Sequence, residues 1–133
     1  PIDFPTLYSS DAAWGDYDND GDIDVLVTGE INWDSEYTEI LRNDSGLFVP
    51  INSGLLSFFY SSCDWGDYDS DGDLDLINCG NFGIASSRTF LYENSDGDFT
   101  IKYTPFPSVG RSSLEWGDYD TDGDLDLLMT GFR

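Results

Sequence analysis

One block of residues is written three times at a fixed spacing. It reads AAWGDYDNDGDIDVLVTG at 12–29, CDWGDYDSDGDLDLINCG at 63–80 and LEWGDYDTDGDLDLLMTG at 114–131. Trp14, Trp65 and Trp116 set the period at 51 residues in both intervals. A period of this size marks one supersecondary unit stacked on copies of itself, because a single unit cannot bury its apolar face alone. Weaker likeness runs on outside the block, where TEILRNDSGLFVP (38–50) aligns with TFLYENSDGDFTI (89–101) at the same shift. The stretches between, EINWDSEY against NFGIASSR, differ freely, as in a natural sequence that has drifted.

Each unit reads as strands. SCDWGDY, LDLINCG, RTFLYEN and FTIKYTPF are short, rich in β-formers and bounded by turn residues. NSDGD, between the last two, has the chemistry of a hairpin. No segment holds a helical period over 11 or more residues. Four short strands in about 50 residues is the arithmetic of a β-propeller blade. If the aspartate loop closes a hairpin with Asp67 opposite Asp75, then Cys63 falls opposite Cys79, near disulfide distance. The same places elsewhere hold Ala12 with Thr28 and Leu114 with Thr130, so the blade does not require the pair. A disulfide and two buried free thiols both stand open.

The loops at the centre of the block are DYDNDGDID (16–24), DYDSDGDLD (67–75) and DYDTDGDLD (118–126). Numbering them 1 to 9, carboxylates fall at 1, 3, 5 and 9, and glycine at 6 permits a sharp turn around an ion. Position 7 can offer its carbonyl. So many hard oxygens at one turn suit Ca²⁺, which takes about 6–8 of them in flexible geometry. Mg²⁺ wants fewer and tighter ligands, and zinc would want Cys or His, of which the chain has no His. The expected sites are Asp16, Asp18, Asp20 and Asp24; Asp67, Asp69, Asp71 and Asp75; and Asp118, Asp120, Asp122 and Asp126. Asp22, Asp73 and Asp124 would contribute carbonyls. An EF-hand starts similarly but needs a Glu at position 12, where this chain has Val27, Asn78 or Met129. A solvated acidic turn is the plain alternative, and five clustered carboxylates repeated three times argue against it.

The pattern W-G-D-Y-D-x-D-G-D-L-D-L followed by FLYENSDGDF resembles the FG-GAP/VCBS repeat family, over nearly the whole chain. That family includes the calcium-bearing blades of integrin α-subunit propellers and many secreted bacterial proteins. The resemblance implies a propeller with Ca²⁺ in the hairpin between a blade's first two strands, and an extracellular or cell-surface location. It implies no single activity: members serve in adhesion and ligand binding, as lectins, and as propellers of some polysaccharide lyases.

The chain divides into repeats at about 1–51, 52–102 and 103–133, the last truncated. Counted against the family pattern, Pro1 to about Tyr8 matches an outermost strand. Residues 11–57 and 62–107 make full blades, and 113–132 supply two strands of another. That is an all-β array of about two and two-thirds blades, too few for a closed propeller of 4–8. Either the chain belongs to a longer propeller, or two or three copies assemble as a homo-oligomer, with Pro1–Tyr8 of one completing the half-blade Leu125–Phe132 of the next. The second is the expectation adopted.

The three repeated tryptophans are expected to pack between blades, and Tyr17, Tyr68 and Tyr119 to pack locally. Trp33 differs. It lies in a variable connection, opposite Ile84 of the next repeat, on the face away from the aspartate loops. Packing is its default reading; contact with a sugar or protein ligand is the alternative. Asn43-Asp44-Ser45 fits a glycosylation sequon inside a tight acidic turn. Five basic residues against 27 acidic ones, a net charge of −22, repel nucleic acid and anionic membranes. Hydrophobic content of 39% argues against disorder, and no apolar run approaches the roughly 20 residues of a membrane span. The chain opens on Pro1 with no leader-like segment, as a processed product or fragment would. Its paired carboxylates are accounted for by metal, and no Ser or Cys sits beside a base. The expectation is a non-catalytic calcium-binding module for adhesion or for a protein or glycan ligand, with a fragment of a secreted carbohydrate-active enzyme or lectin as the alternative.

Overall fold

The computed structural model describes residues 5–83 and 86–132. Those residues form ten strands: β1 (Tyr8–Gly15), β2 (Asp24–Asn32), β3 (Ser35–Asp44), β4 (Leu47–Pro50), β5 (Phe59–Gly66), β6 (Asp75–Phe82), β7 (Ser86–Ser95), β8 (Asp98–Lys102), β9 (Gly110–Gly117) and β10 (Asp126–Phe132). No helix occurs among them, so none is long and apolar enough to cross a membrane. The strands pair antiparallel into two four-stranded sheets, β1-β2-β3-β4 and β5-β6-β7-β8, and one two-stranded sheet, β9-β10. The protein is all-β, with the 51-residue period carried into space.

The turns explain the spacing. Ser45-Gly46 joins β3 to β4 and Asp96-Gly97 joins β7 to β8, and all four residues have positive φ, as a type I′ hairpin demands. The fourth strand of the second sheet is shorter than FTIKYTPF suggests. It stops at Lys102, before the Pro105 and Pro107 that cannot donate to a ladder.

The register differs from the expected one by a single residue. Gly66, not Asp67, pairs with Asp75, and Gly15 and Gly117 do the same for Asp24 and Asp126. The cause is local: the carboxylate of Asp67 accepts the amides of Asp71 and Gly72, which turns that residue into the loop and out of the ladder. Cys63 therefore faces Asn78, and Cys79 faces Ser62. A one-residue shift puts neighbouring positions on opposite faces of a sheet. Cys63 packs with Leu26, Trp65 and Leu76, whereas Cys79 packs with Ile77, Leu91 and Leu114. Both thiols are free and buried, the second of the two readings the sequence left open.

The expected outermost strand at Pro1–Tyr8 also needs correction. Tyr8 pairs with Glu30 and belongs to the first strand, β1; Pro1–Phe4 lie outside the described residues, as does Ile84, the counterpart of Trp33. Each first strand carries a bulge near its start, where the ladder to its partner slips. The slips fall between Tyr8 and Asp11, between Phe59 and Ser62, and between Thr130 and Phe132, the last opposite Gly110. The extra residues are Ser9, Tyr60 and Arg111, one period apart, each at a φ of 47–50° that side chains rarely adopt.

The sheets stack through their first strands and through one repeated contact. Trp65 lies so close over Gly15 that a Cβ there would meet its ring at 2.9 Å, and Trp116 covers Gly66 at 2.7 Å. The Trp65 indole N–H donates to the Ala13 carbonyl at 3.2 Å. Tyr17 stacks on Trp65 with centroids 6.1 Å apart. One apolar cluster (Tyr17, Leu26, Ile40, Cys63, Trp65, Leu76, Tyr92) fills the first joint and another (Ile77, Cys79, Leu91, Val109, Leu114) the second. Trp14 and Tyr119 have no such neighbour and stand 62% and 82% exposed. Gly66→Ala is expected to lower stability by about 1–3 kcal/mol through overpacking against Trp116, and Gly117→Ala, with no atom within 4 Å of its added Cβ, to be neutral. Urea midpoints of the two variants compare them directly; equal midpoints would remove Trp116 as the packing constraint.

Candidate metal centres

The three aspartate loops close with the same hydrogen bonds. The position 1 carboxylate caps the turn from below: Asp16 accepts the amides of Asp20 and Gly21 at 3.1 and 3.0 Å, and Asp118 accepts those of Asp122 and Gly123, both at 3.1 Å. Asp67 does likewise in the second loop. The position 5 carboxylate, Asp20, Asp71 or Asp122, accepts the position 7 amide at 2.8–3.0 Å. Gly21, Gly72 and Gly123 sit at φ 94–100°, where a side chain would be strained. This wrapping points carboxylate oxygens inward. Oxygens of Asp16, Asp18 and Asp24 lie within 4.8 Å of one another, as do those of Asp67, Asp69 and Asp71, and those of Asp118, Asp120 and Asp122.

Position 9 has a second task. Asp24 and Asp75 are fully buried. Each accepts the loop's Tyr17 or Tyr68 amide through one oxygen, and the Asn43 or Asn94 amide of the third strand through the other. They tie loop, second strand and third strand together. Asp126 accepts the Tyr119 amide alone, since β10 has no third strand beside it among the described residues. The position 7 residues were expected to contribute their backbone carbonyls, and their side chains add a further role. Asp22 and Asp73 accept the Ser45 and Asp96 amides at the β-turn of the same sheet.

The sequence reading passed over Asn43 and Asn94. Asn94 is fully buried and donates to the carbonyls of Tyr17 and Leu74 while its carboxamide oxygen takes the Gly97 amide. Asn43 makes the matching bonds to the Ile23 carbonyl and Gly46 amide. Its carboxamide is thus committed, which disfavours the sequon reading. The signal was available in the alignment of RNDSG (42–46) with ENSDG (93–97), where both asparagines fall at one repeat position.

These loops fit a hard divalent cation on the chemistry of their donors. Asp18 Oδ1 is buried and has no hydrogen-bond partner, an acceptor left without a donor. The carboxyls of Asp18, Asp24 and Asp69 are all pushed above the usual range, first by burial and further by neighbouring aspartates, and Asp75 is raised to about 6 for the same reasons. Tyr17 and Tyr68 are raised to about 12, chiefly by burial. A cation would hold Asp16, Asp18 and Asp24 in the first loop and positions 1, 3 and 5 in the other two, and would supply the positive charge the site lacks.

At the opposite end of the strands lies a groove of about 500 Å³. Trp33 forms its rim, 86% exposed in the two-residue turn between β2 and β3. Default packing does not hold for it. Glu30, only 3% exposed, lines the groove and accepts the Tyr60 amide. Asp34, Glu36, Asn81 and Arg111 share it, with the Arg111 guanidinium 4.8 Å above the Tyr60 ring. Both Tyr60 and Arg111 are bulge residues, so the strained backbone aims them here.

The raised Asp75 pKa has a sign that can be tested. In metal-free protein the folded state holds a proton up to about pH 6 that an unfolded carboxyl releases near 3.8. Stability from this group is therefore complete at low pH and lost as pH rises through about 6. Dialysed, metal-free protein should melt higher at pH 5.5 than at pH 7.5, against the ordinary acid trend. A lower melting point at 5.5 would show that Asp75 titrates normally.

The FG-GAP-like repeat family model matches residues 16–77. No curated protein matches the chain closely enough to stand as a relative. The match runs from the first aspartate of one loop through the whole of the second, the segment whose hydrogen bonds are described above. Residues 16–77 are similar to an FG-GAP-like repeat, and the likeness carried by WGDYDxDGD rests on that segment.

Proposed function

We propose that the chain is a non-catalytic binding module of propeller type, pinned by one Ca²⁺ in each aspartate loop and presenting its ligand site at the opposite end of the strands. The observation that carries this reading is the orphaned, buried Asp18 oxygen inside a loop whose wrapping is reproduced three times. Three divalent ions would offset six of the 22 excess negative charges. Ca²⁺ sites of extracellular modules work at about 10⁻⁴–10⁻³ M, the range such exposed loops suit, which supports a secreted or cell-surface setting.

The groove at Trp33 supports a ligand rich in hydroxyls and free of net charge, a glycan above a basic or acidic peptide. Glu30, Asp34 and Glu36 repel anions, and Arg111 repels cations. Together with Asn81 they offer donors and acceptors side by side, next to an exposed indole on which the apolar face of a sugar can stack. Enzymatic action on a polysaccharide is a weaker reading, because the paired carboxylates belong to the loops.

Native mass spectrometry is expected to count three calcium ions per chain, lost to chelator with a large fall in melting temperature. Asp18→Asn should remove one of them. An unchanged mass and melting curve would rule the metal out. A glycan array on calcium-loaded protein should give hits that Trp33→Ala loses at least tenfold without a change in melting. Hits indifferent to Trp33 would place the ligand elsewhere, and polysaccharide turnover by this chain would overturn the non-catalytic reading.

A further inference from the structure

The two ends of the stack carry the two halves of the contact that joins its sheets. At the first joint Trp65 covers Gly15, the Thr28 hydroxyl meets that of Ser61 at 2.9 Å, and Asp11 accepts the Cys63 amide. At the second Trp116 covers Gly66, the Cys79 thiol meets the Ser112 hydroxyl at 2.9 Å, and the Ser62 hydroxyl accepts the Leu114 amide. One period further on, the residues in these roles are Gly117, Thr130 and Ser113, and one period back they are Trp14, Ser10 and Ala12. All six are exposed.

Side chains at the two ends of the stack are exposed where their counterparts in the joints are buried. Leu128 is 66% exposed, while its counterparts Leu26 and Ile77 are at 0%. Trp14 is 62% exposed against 7% for Trp65, and Tyr119 82% against 4% for Tyr17. Trp116, Gly117, Tyr119 and Leu128 line an open groove of about 460 Å³, and nothing lies within 4 Å of a Cβ built on Gly117. At the other end Phe48 holds the Trp14 ring edge-on at 6.2 Å, as Phe99 holds Trp65 at 6.1 Å.

We propose that this groove is a docking site for a second copy of the chain, whose Trp14 covers Gly117 and whose Ser10 meets Thr130, so that copies join head to tail by the contact already used twice within each. The proposal rests on the module reading above but not on the metal or the ligand. Ser10 and Thr130 are both hydroxyls and can pair as Ser61 and Thr28 do, and the Ser113 hydroxyl can replace Asp11 Oδ1 as acceptor of the Ala12 amide. Such heterologous contacts close into a ring when their rotation allows and otherwise extend.

The test is the mass in solution of the calcium-loaded chain by light scattering at micromolar concentration. At least twice the chain mass is expected. Gly117→Val fills the groove where the single chain has open space. It should return the mass to one chain with an unchanged melting temperature in dilute solution, and Trp14→Ala should do the same. The Ser10→Cys, Thr130→Cys double variant should give disulfide-linked multimers on a non-reducing gel, and neither single variant should give a ladder. A monomer without cross-links overturns the joint while leaving calcium and glycan binding untouched. An assembly that ignores Gly117→Val and Trp14→Ala places the interface elsewhere.

Discussion

The buried carboxylates of Asp24 and Asp75 are the interaction on which each sheet depends. Each accepts two backbone amides, one from its own loop and one from the third strand. That choice fixes where the second strand begins, how the loop folds back and where the third strand lies. It also commits the chain to burying a charge, and the loop places further carboxylates beside it. An ionised group in such a place is costly unless opposite charge accompanies it. The cation proposed for these loops would offset the charge that this way of tying the sheet together brings with it.

The stacking of one sheet on the next is separate chemistry. It depends on the Trp-Gly step, in which the Trp65 and Trp116 indoles press against the glycine of the preceding repeat. Glycine is required there by space, not by backbone angle, since no positive φ occurs at Gly15 or Gly66. The aromatic ladder Tyr17–Trp65–Phe99 runs through the same joint. Pinning within sheets and stacking between them meet at the loops, because Asn94 of the second sheet donates to the Tyr17 carbonyl of the first loop and Asn19 of the first loop to the Asp73 carboxylate of the second.

Much of this was legible because the sequence repeats. The period gave the sheets, the loops and the asparagines common positions, and the position 1, 3 and 5 aspartates converge in the second and third loops as their spacing implied. The misreading of the hairpin by one residue has a specific origin. Alternation cannot tell whether Asp67 continues a strand or turns to cap a loop, because the deciding bonds run to amides four and five residues on. That slip alone set Cys63 opposite Cys79. Tyr8 was misplaced for a similar reason: the bulge at Ser9 breaks the alternation that would have joined it to β1. Trp33 was ambiguous since a two-residue turn leaves no period to read.

The bulge residues Ser9, Tyr60 and Arg111 lie at the far end of the first strands from the aspartate loops. Eight residues of strand separate the two ends by roughly 25 Å, several times the Debye length of about 8 Å at physiological salt. Charge arriving in a loop is hardly felt in the groove. The backbone angle is kept at all three bulges while the side chain changes from hydroxyl to phenol to guanidinium. The fold thus offers a surface whose lettering can be rewritten while the backbone that presents it stays the same.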